Sequence, residues 1–204
     1  MIFLYKKIDF QAIRYRIPTR YPIPDYANVK KLTMKRILIL GCCGSGKSTL
    51  ARGLHQKTKI PIIHLDQEYW QPNWTETPKE KWNSIVKKLV QRDTWIMDGN
   101  YSSSFYLRFP RADTIIYLDK STSTCMWRVC KRVLTHYGKV RPDMVEGCAE
   151  RFDLEFMHYV LTFNLRNRKK LLRKIKDLKS EKQVFIFRKE KEIEAFLAKS
   201  FIEN

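Results

Sequence analysis

From residue 34 onward, short runs of apolar residues alternate with helical spacings. Continuous apolar runs bounded by polar residues are typical of strands buried on both faces of a parallel sheet. Five such runs are predicted to be strands: Ile37–Leu40, Ile60–Leu65, Thr94–Met97, Thr114–Leu118 and Val184–Phe187. This alternation predicts an α/β fold, with a five-stranded parallel sheet flanked by helices on both sides.

Helices are predicted in the intervals between these runs. They are expected from Lys47, from a capping box at Thr77–Glu80, over about Ser123–Tyr137, over about Cys148–Leu178 with a break near Asn164, and over Glu190–Lys199. The capping-box helix should bury a face made of Trp82, Ile85, Val86 and Leu89. The Ser123 helix should turn Met126, Val129, Val133 and Leu134 inward.

Residues 1–33 differ from the rest of the chain. They contain three prolines, seven Lys or Arg and only two acids, and keep neither a helical nor a strand period for long. We predict that this stretch is a flexible extension or the product of an upstream start codon. A basic arm that touches nucleic acid is the alternative. Residues 34–204 are predicted to form one domain.

A phosphate-binding loop follows the first predicted strand. Residues 41–48, GCCGSGKS, fit the pattern GxxxxGK[ST], and they lie between an apolar strand and a helix as the mechanism requires. We expect the backbone of the loop to surround the phosphates of ATP, Lys47 to reach the β- and γ-phosphates, and the Ser48 hydroxyl to hold Mg²⁺. The predicted nucleotide-binding residues are Gly41, Cys43, Gly44, Ser45, Gly46, Lys47, Ser48 and Thr49.

Two aspartates follow predicted strands, at the sheet edge where α/β folds bind their ligands. Asp98 ends the run Trp95–Met97 and is the candidate carboxylate for the metal. Asp66 follows Ile62–Leu65 and is the candidate that orients or deprotonates the acceptor hydroxyl. Either aspartate has an alternative role as a cap of a turn or a helix.

Arginines and an aromatic residue complete the candidate site. Arg128 and Arg132 lie four apart on one helical face and are candidates for neutralising the transferring phosphoryl group or stacking on a base. Tyr69, Arg108 and Arg141 are candidates for the acceptor site, and Arg108 could hold an anionic acceptor. Arg141 is also a candidate, like Arg128 and Arg132, for neutralising the transferring phosphoryl group or stacking on a base. A solvated surface is the alternative for each arginine.

Charge and cysteine content narrow the possible partners and the cellular location of the protein. The chain has 40 Lys and Arg against 21 Asp and Glu, a net charge of +19, which favours polyanionic partners such as nucleotides, nucleic acid or an anionic membrane face. Five cysteines without a CxxC argue against a disulfide framework or a zinc site. No apolar run is long enough to cross a membrane. We therefore expect a cytoplasmic protein that does not bind a membrane and is a monomer or homodimer.

The motifs from Met34 onward resemble those of the DNA topology modulation proteins. They are GCCGSGKSTLA (41–51), HLDQEYWQPNW (64–74), WIMDGNY (95–101), ADTIIYLD (112–119), RVCKR (128–132) and RPDMVEGC (141–148). The resemblance implies an adenylate-kinase-like P-loop fold with a mobile lid at about 132–150. It also implies that Arg128 and Arg132 begin the lid, and that Asp66 and Tyr69 belong to the acceptor side.

One departure from the adenylate-kinase pattern concerns the acceptor. Asn100-Tyr101-Ser102 stands where those enzymes carry Pro-Arg after Asp-Gly-aromatic, which argues against a mononucleotide acceptor.

Two functions fit these observations. The first is a kinase that transfers the γ-phosphoryl group of ATP to a small acceptor of nucleoside or nucleotide type. The second is a nucleic-acid-associated P-loop ATPase or a polynucleotide kinase that affects DNA topology. For the second, residues 166–191 carry twelve Lys or Arg and three acids. A GTPase is disfavoured because the chain has no Asn-Lys-x-Asp guanine motif.

Overall fold

The computed structural model describes residues 34–198, so the predicted extension at 1–33 lies outside the described residues. The strands are β1 (Arg36–Gly41), β2 (Ile62–His64), β3 (Trp70–Gln71), β4 (Thr75–Glu76), β5 (Trp95–Asp98), β6 (Thr114–Leu118) and β7 (Gln183–Phe187). Five of them form a parallel sheet in the order β2-β5-β1-β6-β7, and β3 and β4 form a separate antiparallel hairpin. The predicted five-stranded parallel sheet is confirmed.

Helices cover both faces of this sheet. They are α1 (Lys47–Thr58), α2 (Leu65–Tyr69), α3 (Lys79–Leu89), α4 (Phe105–Arg111), α5 (Thr122–His136), α6 (Leu154–Phe163), α7 (Lys169–Asp177) and α8 (Glu190–Leu197). The side chains of β1 alternate between two cores: Leu38 and Leu40 face α3 to α7, and Ile37 and Ile39 face α1 and α8. Each such fully buried aliphatic side chain contributes roughly 1.5–3 kcal/mol.

The second strand is shorter than predicted. The apolar run Ile60–Leu65 was expected to be one strand, but β2 spans Ile62–His64 and Leu65 already belongs to α2. Leu65 is fully buried in either conformation, so its hydrophobicity does not distinguish a strand from the first turn of a helix. Asp66 consequently lies in a helical turn directly beyond the sheet edge.

The predicted capping box is wrong. The residue that precedes α3 is Pro78, whose side chain makes no cap, and the Thr77 hydroxyl instead donates a hydrogen bond to the carbonyl of Tyr69. That bond ties the start of α3 back to the end of α2. The apolar face of α3 is as predicted, with Trp82, Val86 and Leu89 buried.

The inward face of α5 includes one error. Cys125, Val129 and Val133 are buried, whereas Leu134 is 82% exposed. The buried positions are spaced by four residues, and Leu134 lies one residue beyond the last of them, about 100° further round the helix.

The long helical stretch begins later than predicted and is interrupted once. Residues 148–153 are not helical, and α6 begins only after Asp153, whose side chain accepts a hydrogen bond from the Phe156 amide. The predicted break near Asn164 is confirmed as a π-helical turn at Asn164–Arg168. The Asn164 side chain donates to the Lys120 carbonyl and the Thr122 hydroxyl, which anchors this turn to the start of α5.

All five cysteines lie among the described residues, and each is a free thiol. Between residues 34 and 198, none of the helices has both the length and the apolar character needed to span a bilayer.

Candidate active site

Glycines shape the loop between β1 and α1. Gly44 has φ +79°, and a Cβ there would lie 2.5 Å from the Cys125 carbonyl oxygen on α5. Gly46, directly before α1, has φ +99°. Both positions require a left-handed backbone that L-residues with side chains rarely adopt. The loop therefore fits closely beneath α5, and it leads into a helical first turn whose amide groups have no intrahelical partners.

The Lys47 ammonium folds back over this loop. Its Nζ donates to the carbonyl oxygens of Gly41 and Cys42, each at 3.1 Å. Asn100, beyond β5, clamps the start of the loop: its side-chain amide donates to the Gly41 carbonyl at 2.8 Å, and its Oδ1 accepts from the Gly41 amide at 3.2 Å. Asn100 therefore ties the end of β5 to the phosphate-binding loop.

Oxygen ligands gather around the Ser48 hydroxyl at the start of α1. It lies 2.9 Å from Oδ2 of Asp98 and 2.9 Å from Oδ2 of Asp143. The other carboxylate oxygen of Asp98 lies 2.9 Å from Nδ1 of His64. Burial lowers the pKa of His64, but the hydrogen bond and charge of Asp98 outweigh it, so the pKa is raised overall. The imidazole thereby supports the negative charge on Asp98.

A hydroxyl and carboxylates are the donor set that Mg²⁺ prefers, so this corner suits the ion. Within residues 34–198, no group of three or more His, Cys, Asp or Glu side chains forms a metal cage by itself. Phosphate oxygens and water would therefore have to supply part of the coordination, which is the usual arrangement for Mg²⁺ at nucleotide sites.

Asp66 lies on the opposite wall of the site. The Tyr101 hydroxyl donates to its Oδ1 at 2.6 Å. Burial raises the pKa of Asp66 and the charge of Asp98 raises it further, whereas the Tyr101 hydrogen bond acts in the opposite direction. Tyr69 stands beside this pair, with its ring centre 4.7 Å from that of Tyr101 and 5.1 Å from that of Trp82. The result is a carboxylate with raised proton affinity next to an aromatic wall.

Arg108 was expected to hold an anionic acceptor, and the structure contradicts this. Its side chain is fully buried. The guanidinium donates to the Ser104 hydroxyl at 3.0 Å and to the backbone carbonyls of Gly99, Asn100 and Tyr101. Burial lowers the pKa of Arg108 to about 9. Arg108 therefore fixes the turn that carries Asn100 and Tyr101, and it does not reach the cavity.

The other predicted arginines belong to a charged network above the loop. Glu150, which is 5% exposed, pairs with Nε of Arg132 at 2.9 Å and with Nε of Arg141 at 3.0 Å. Arg141 also donates through Nη1 to both carboxylate oxygens of Asp143, at 3.1 and 3.0 Å. Proximity to Arg141 and the Ser48 hydrogen bond outweigh burial, so the pKa of Asp143 is lowered.

Arg128 approaches the loop itself. Its Nη1 lies 3.5 Å from the Ser45 carbonyl, and its Nη2 pairs with Glu190 at 3.2 Å. Arg128 therefore extends from the phosphate-binding loop to the start of α8.

The chain between α5 and α6, residues 137–153, forms what we call the lid segment. It contacts the region that follows β2: the Gln67 side chain donates to the Pro142 carbonyl at 2.8 Å, and Trp74 Nε1 donates to the Ala149 carbonyl at 3.2 Å. The predicted lid at about 132–150 overlaps this segment, and its first residues, 132–136, form the end of α5. The lid itself stays a prediction. The lid segment thus bridges the phosphate-binding loop, through Asp143, and the β3–β4 hairpin.

These groups open on one continuous cavity of about 2290 Å³. The predicted site residues that line it are Cys43, Gly44, Gly46, Lys47, Ser48, Thr49, Asp66, Tyr69, Asp98, Arg128, Arg132 and Arg141. Three predicted residues are not on its wall, namely Gly41, Ser45 and Arg108. Gly41 and Ser45 are buried at the base of the loop, where their side of the turn faces the protein interior.

Several residues at the site carried no separate signal in the sequence analysis. Asp143 stands 95 positions from the Ser48 hydroxyl that it contacts, and only the folded lid segment brings the two together. His64 lies near the end of a predicted strand and Asn100 shortly after another, so their position at the sheet edge was the one available signal.

No family model and no curated protein matches this chain. Solved structures do resemble it. A deoxyadenosine kinase from M. mycoides with dCMP and dCDP is 18% identical, with a TM-score of 0.43 over 79% of this chain and 94% of the other. The same enzyme with dATP is 18% identical, with a TM-score of 0.44 over 79% of this chain and 96% of the other. A shikimate kinase from Bacteroides thetaiotaomicron is 17% identical, with a TM-score of 0.45 over 81% of this chain and 95% of the other. Since fold alone does not assign function, the chemistry must be argued from the site.

Proposed function

We propose that this protein is an ATP-dependent kinase that transfers the γ-phosphoryl group to a hydroxyl of a small acceptor of nucleoside or nucleotide type. The observation that carries this proposal is the arrangement of one cavity. Its wall carries the loop with Lys47 and Ser48, the carboxylate of Asp98, and the separate Asp66–Tyr101 pair beside an aromatic surface. A nucleotide site and an acceptor site that share one cavity are what phosphoryl transfer requires.

On the nucleotide side, the loop binds the triphosphate of ATP. Lys47 exchanges the carbonyls of Gly41 and Cys42 for the β- and γ-phosphates. Ser48 and Asp98 would hold Mg²⁺. When bound, Mg²⁺ neutralises charge on the phosphate oxygens. Arg128, Arg132 and Arg141 bring further positive charge to the transferring group.

On the acceptor side, Asp66 is the general base. It takes the proton of the acceptor hydroxyl as the new oxygen–phosphorus bond forms and the bond from the γ-phosphorus to the β-phosphate oxygen breaks, which leaves ADP. A raised pKa suits this role because it increases the affinity of the carboxylate for the proton. Tyr101 orients the carboxylate, and Tyr69 packs against the acceptor.

Two further assignments belong to this proposal. Membership of the DNA topology modulation family rests on the sequence motifs described above. A cytoplasmic location is consistent with five free cysteines, because thiols stay reduced in that compartment.

The test is a transfer assay with γ-³²P-labelled ATP and Mg²⁺ against nucleosides, nucleotides and oligonucleotides with a free 5′-hydroxyl. We expect label on one acceptor class with the wild-type protein and none with Lys47→Ala, which should remain folded. DNA-stimulated ATP hydrolysis without label on any acceptor would replace the kinase with the nucleic-acid-associated ATPase. Undiminished transfer by Lys47→Ala would contradict the assignment of the loop.

A further inference from the structure

Helix α7 separates its side chains into two classes. Leu171, Leu172 and Ile175 are buried in the core beneath the sheet. Lys170, Arg173 and Lys174 lie three and four positions apart on another face, are exposed, and line the same cavity as the phosphate-binding loop. Packing of α7 in the core requires only its apolar face, so other polar residues could replace Lys170, Arg173 and Lys174 without loss of the helix. The core therefore does not explain why these three residues are cations.

The opposite wall of this part of the cavity continues from the proposed base. Tyr101 binds Asp66, and Ser102, Ser103 and Phe105 follow it along the cavity. The Lys174 ammonium contacts the opposite wall, because it lies 5.7 Å from the ring centre of Phe105. We call the space between residues 102–105 and α7 the α7 groove. It runs from the acceptor side of the site and is lined by hydroxyls, by the three cations and by the carboxylate of Asp177.

Cations of α7 line this cavity in addition to those that would hold the nucleotide phosphates. The nucleotide phosphates already have Lys47, Arg128, Arg132 and Arg141 on the cavity wall. A cavity of about 2290 Å³ is larger than the roughly 300–1,000 Å³ of a usual ligand pocket, so a second ligand portion has room. Hydroxyls together with Lys and Arg are typical partners of phosphate oxygens.

We infer that the α7 groove binds a phosphate group of the acceptor, so that the acceptor is a phosphate ester with a free hydroxyl presented to Asp66. This inference rests on the proposed function for its orientation. Its ligand chemistry, a phosphate ester held by Lys170, Arg173 and Lys174, can be tested without any phosphoryl transfer.

The test measures binding by fluorescence anisotropy without ATP. The probes are a base-labelled nucleoside, its 3′-monophosphate with the same label, and a 3′-labelled trinucleotide with a free 5′-hydroxyl. One charge-assisted hydrogen bond corresponds to about tenfold in affinity, so the wild-type protein should bind the monophosphate at least about tenfold more tightly than the nucleoside. In the double variant Lys170→Glu/Arg173→Glu this ratio should fall to about one.

The matched control is the double variant Lys176→Glu/Lys179→Glu. It changes the net charge by the same amount, but neither lysine lines the cavity, and the tenfold preference should persist. An equal loss of preference in the control would mean attraction by net charge and would overturn the inference, as would a wild-type protein that binds nucleoside and monophosphate alike. If the trinucleotide binds more strongly than the monophosphate, the ligand is a phosphodiester chain. If the two bind equally, the ligand is a phosphate monoester.

Two safeguards keep the outcomes distinct. If the double variant does not fold, Lys170→Gln, a neutral change on an exposed side chain, provides the same comparison. The binding assay contains no ATP, so its result does not depend on phosphoryl transfer. A failed transfer assay would count against the proposed function only, and a failed binding assay against this inference only.

Discussion

Asp66 combines two properties that a general base needs, namely a fixed orientation and a raised pKa. Below its pKa the carboxylate is protonated and cannot accept the acceptor proton. The rate of transfer should therefore rise with pH, with a midpoint above the usual range for an aspartate. This direction holds because burial and the charge of Asp98 disfavour the ionised form of Asp66.

Asp66→Asn should lower kcat by about 10²- to 10⁴-fold and remove the acidic limb of the pH profile. Affinity for ATP should change little. The raised pKa means that the ionised Asp66 is less favourable in the folded protein than in the unfolded chain at pH 7. Removing this charge should therefore not lower the free energy of unfolding at pH 7. Glu68→Gln, on the same helix but off the cavity wall, is the control. Parallel losses of ATP affinity and transfer would show that Asp66 is structural.

Gly44 and Gly138 allow two causes of glycine sensitivity to be separated. Both have positive φ, +79° and +72°, but a Cβ at Gly44 meets the Cys125 carbonyl at 2.5 Å and one at Gly138 meets nothing within 4 Å. Gly138→Ala should cost about 1–2 kcal/mol of stability from backbone strain alone. Gly44→Ala should cost more and also weaken ATP binding at least about tenfold, because the loop must shift. Thermal unfolding and calorimetric titration with ATP–Mg²⁺ measure both; equal effects would argue against close packing of the loop under α5.

At the scale of residues, the sequence predicts chemistry better than it predicts contacts. The phosphate-binding loop has a local pattern, so Lys47 and Ser48 were predicted from spacing alone, and both line the cavity. Arg108 has no such pattern. Its guanidinium satisfies carbonyls in a turn seven to nine residues earlier, and only the folded turn reveals that it is buried. Asp143 was missed for the same reason, because its partner Ser48 is distant in sequence.

Among the structural elements, the lid segment depends on one buried carboxylate. Glu150 bridges Arg132 and Arg141, and its backbone also bonds to Gly138 and Lys139. Glu150→Gln keeps the size of the side chain and removes the charge that holds the two guanidinium groups together. Loss of one partner of a buried ion pair costs about 3–5 kcal/mol.

We expect this loss to appear as local opening of the lid segment. Amide hydrogen exchange in peptides covering residues 137–153 should accelerate by about 100-fold, the equivalent of about 3 kcal/mol. Glu146→Gln, an exposed glutamate in the same segment, should leave exchange unchanged. Unchanged exchange in Glu150→Gln would mean that the ion pairs do not hold the lid segment in place.

Element types were predictable where a period extended over many residues, and boundaries were not. The apolar face of α3 followed from its spacing. Its start did not, because the Thr77 hydroxyl bonds to Tyr69 rather than capping the helix. Leu134 is a similar case. Its hydrophobicity predicted a place in the core, but it lies about 100° round the helix from the buried Val133 and is exposed.

Over the whole molecule, the site draws its parts from many elements. The loop follows β1, Asp98 ends β5, Asp66 lies in α2, and the arginines come from α5 and the lid segment. The parallel sheet gathers the first three at one edge, because the carboxyl ends of its strands all point the same way. The sequence predicted that gathering because each aspartate follows a predicted strand. It did not predict the contacts that the lid segment makes with Ser48, Gln67 and Trp74.

Because ATP–Mg²⁺ would contact several of these elements together, its binding should stabilise the domain as a unit. A ligand that binds only the folded state at 100 times its Kd adds about 2.7 kcal/mol. For a domain of this size that corresponds to a rise in Tm of roughly 5–10 °C. Differential scanning fluorimetry should show this rise in the wild-type protein with ATP and Mg²⁺, and a smaller one when EDTA removes the metal, because Ser48 and Asp98 then lose their shared ligand. Lys47→Ala should abolish most of the shift while unfolding near the wild-type temperature without ligand. The same shift in Lys47→Ala would place the nucleotide somewhere other than this loop.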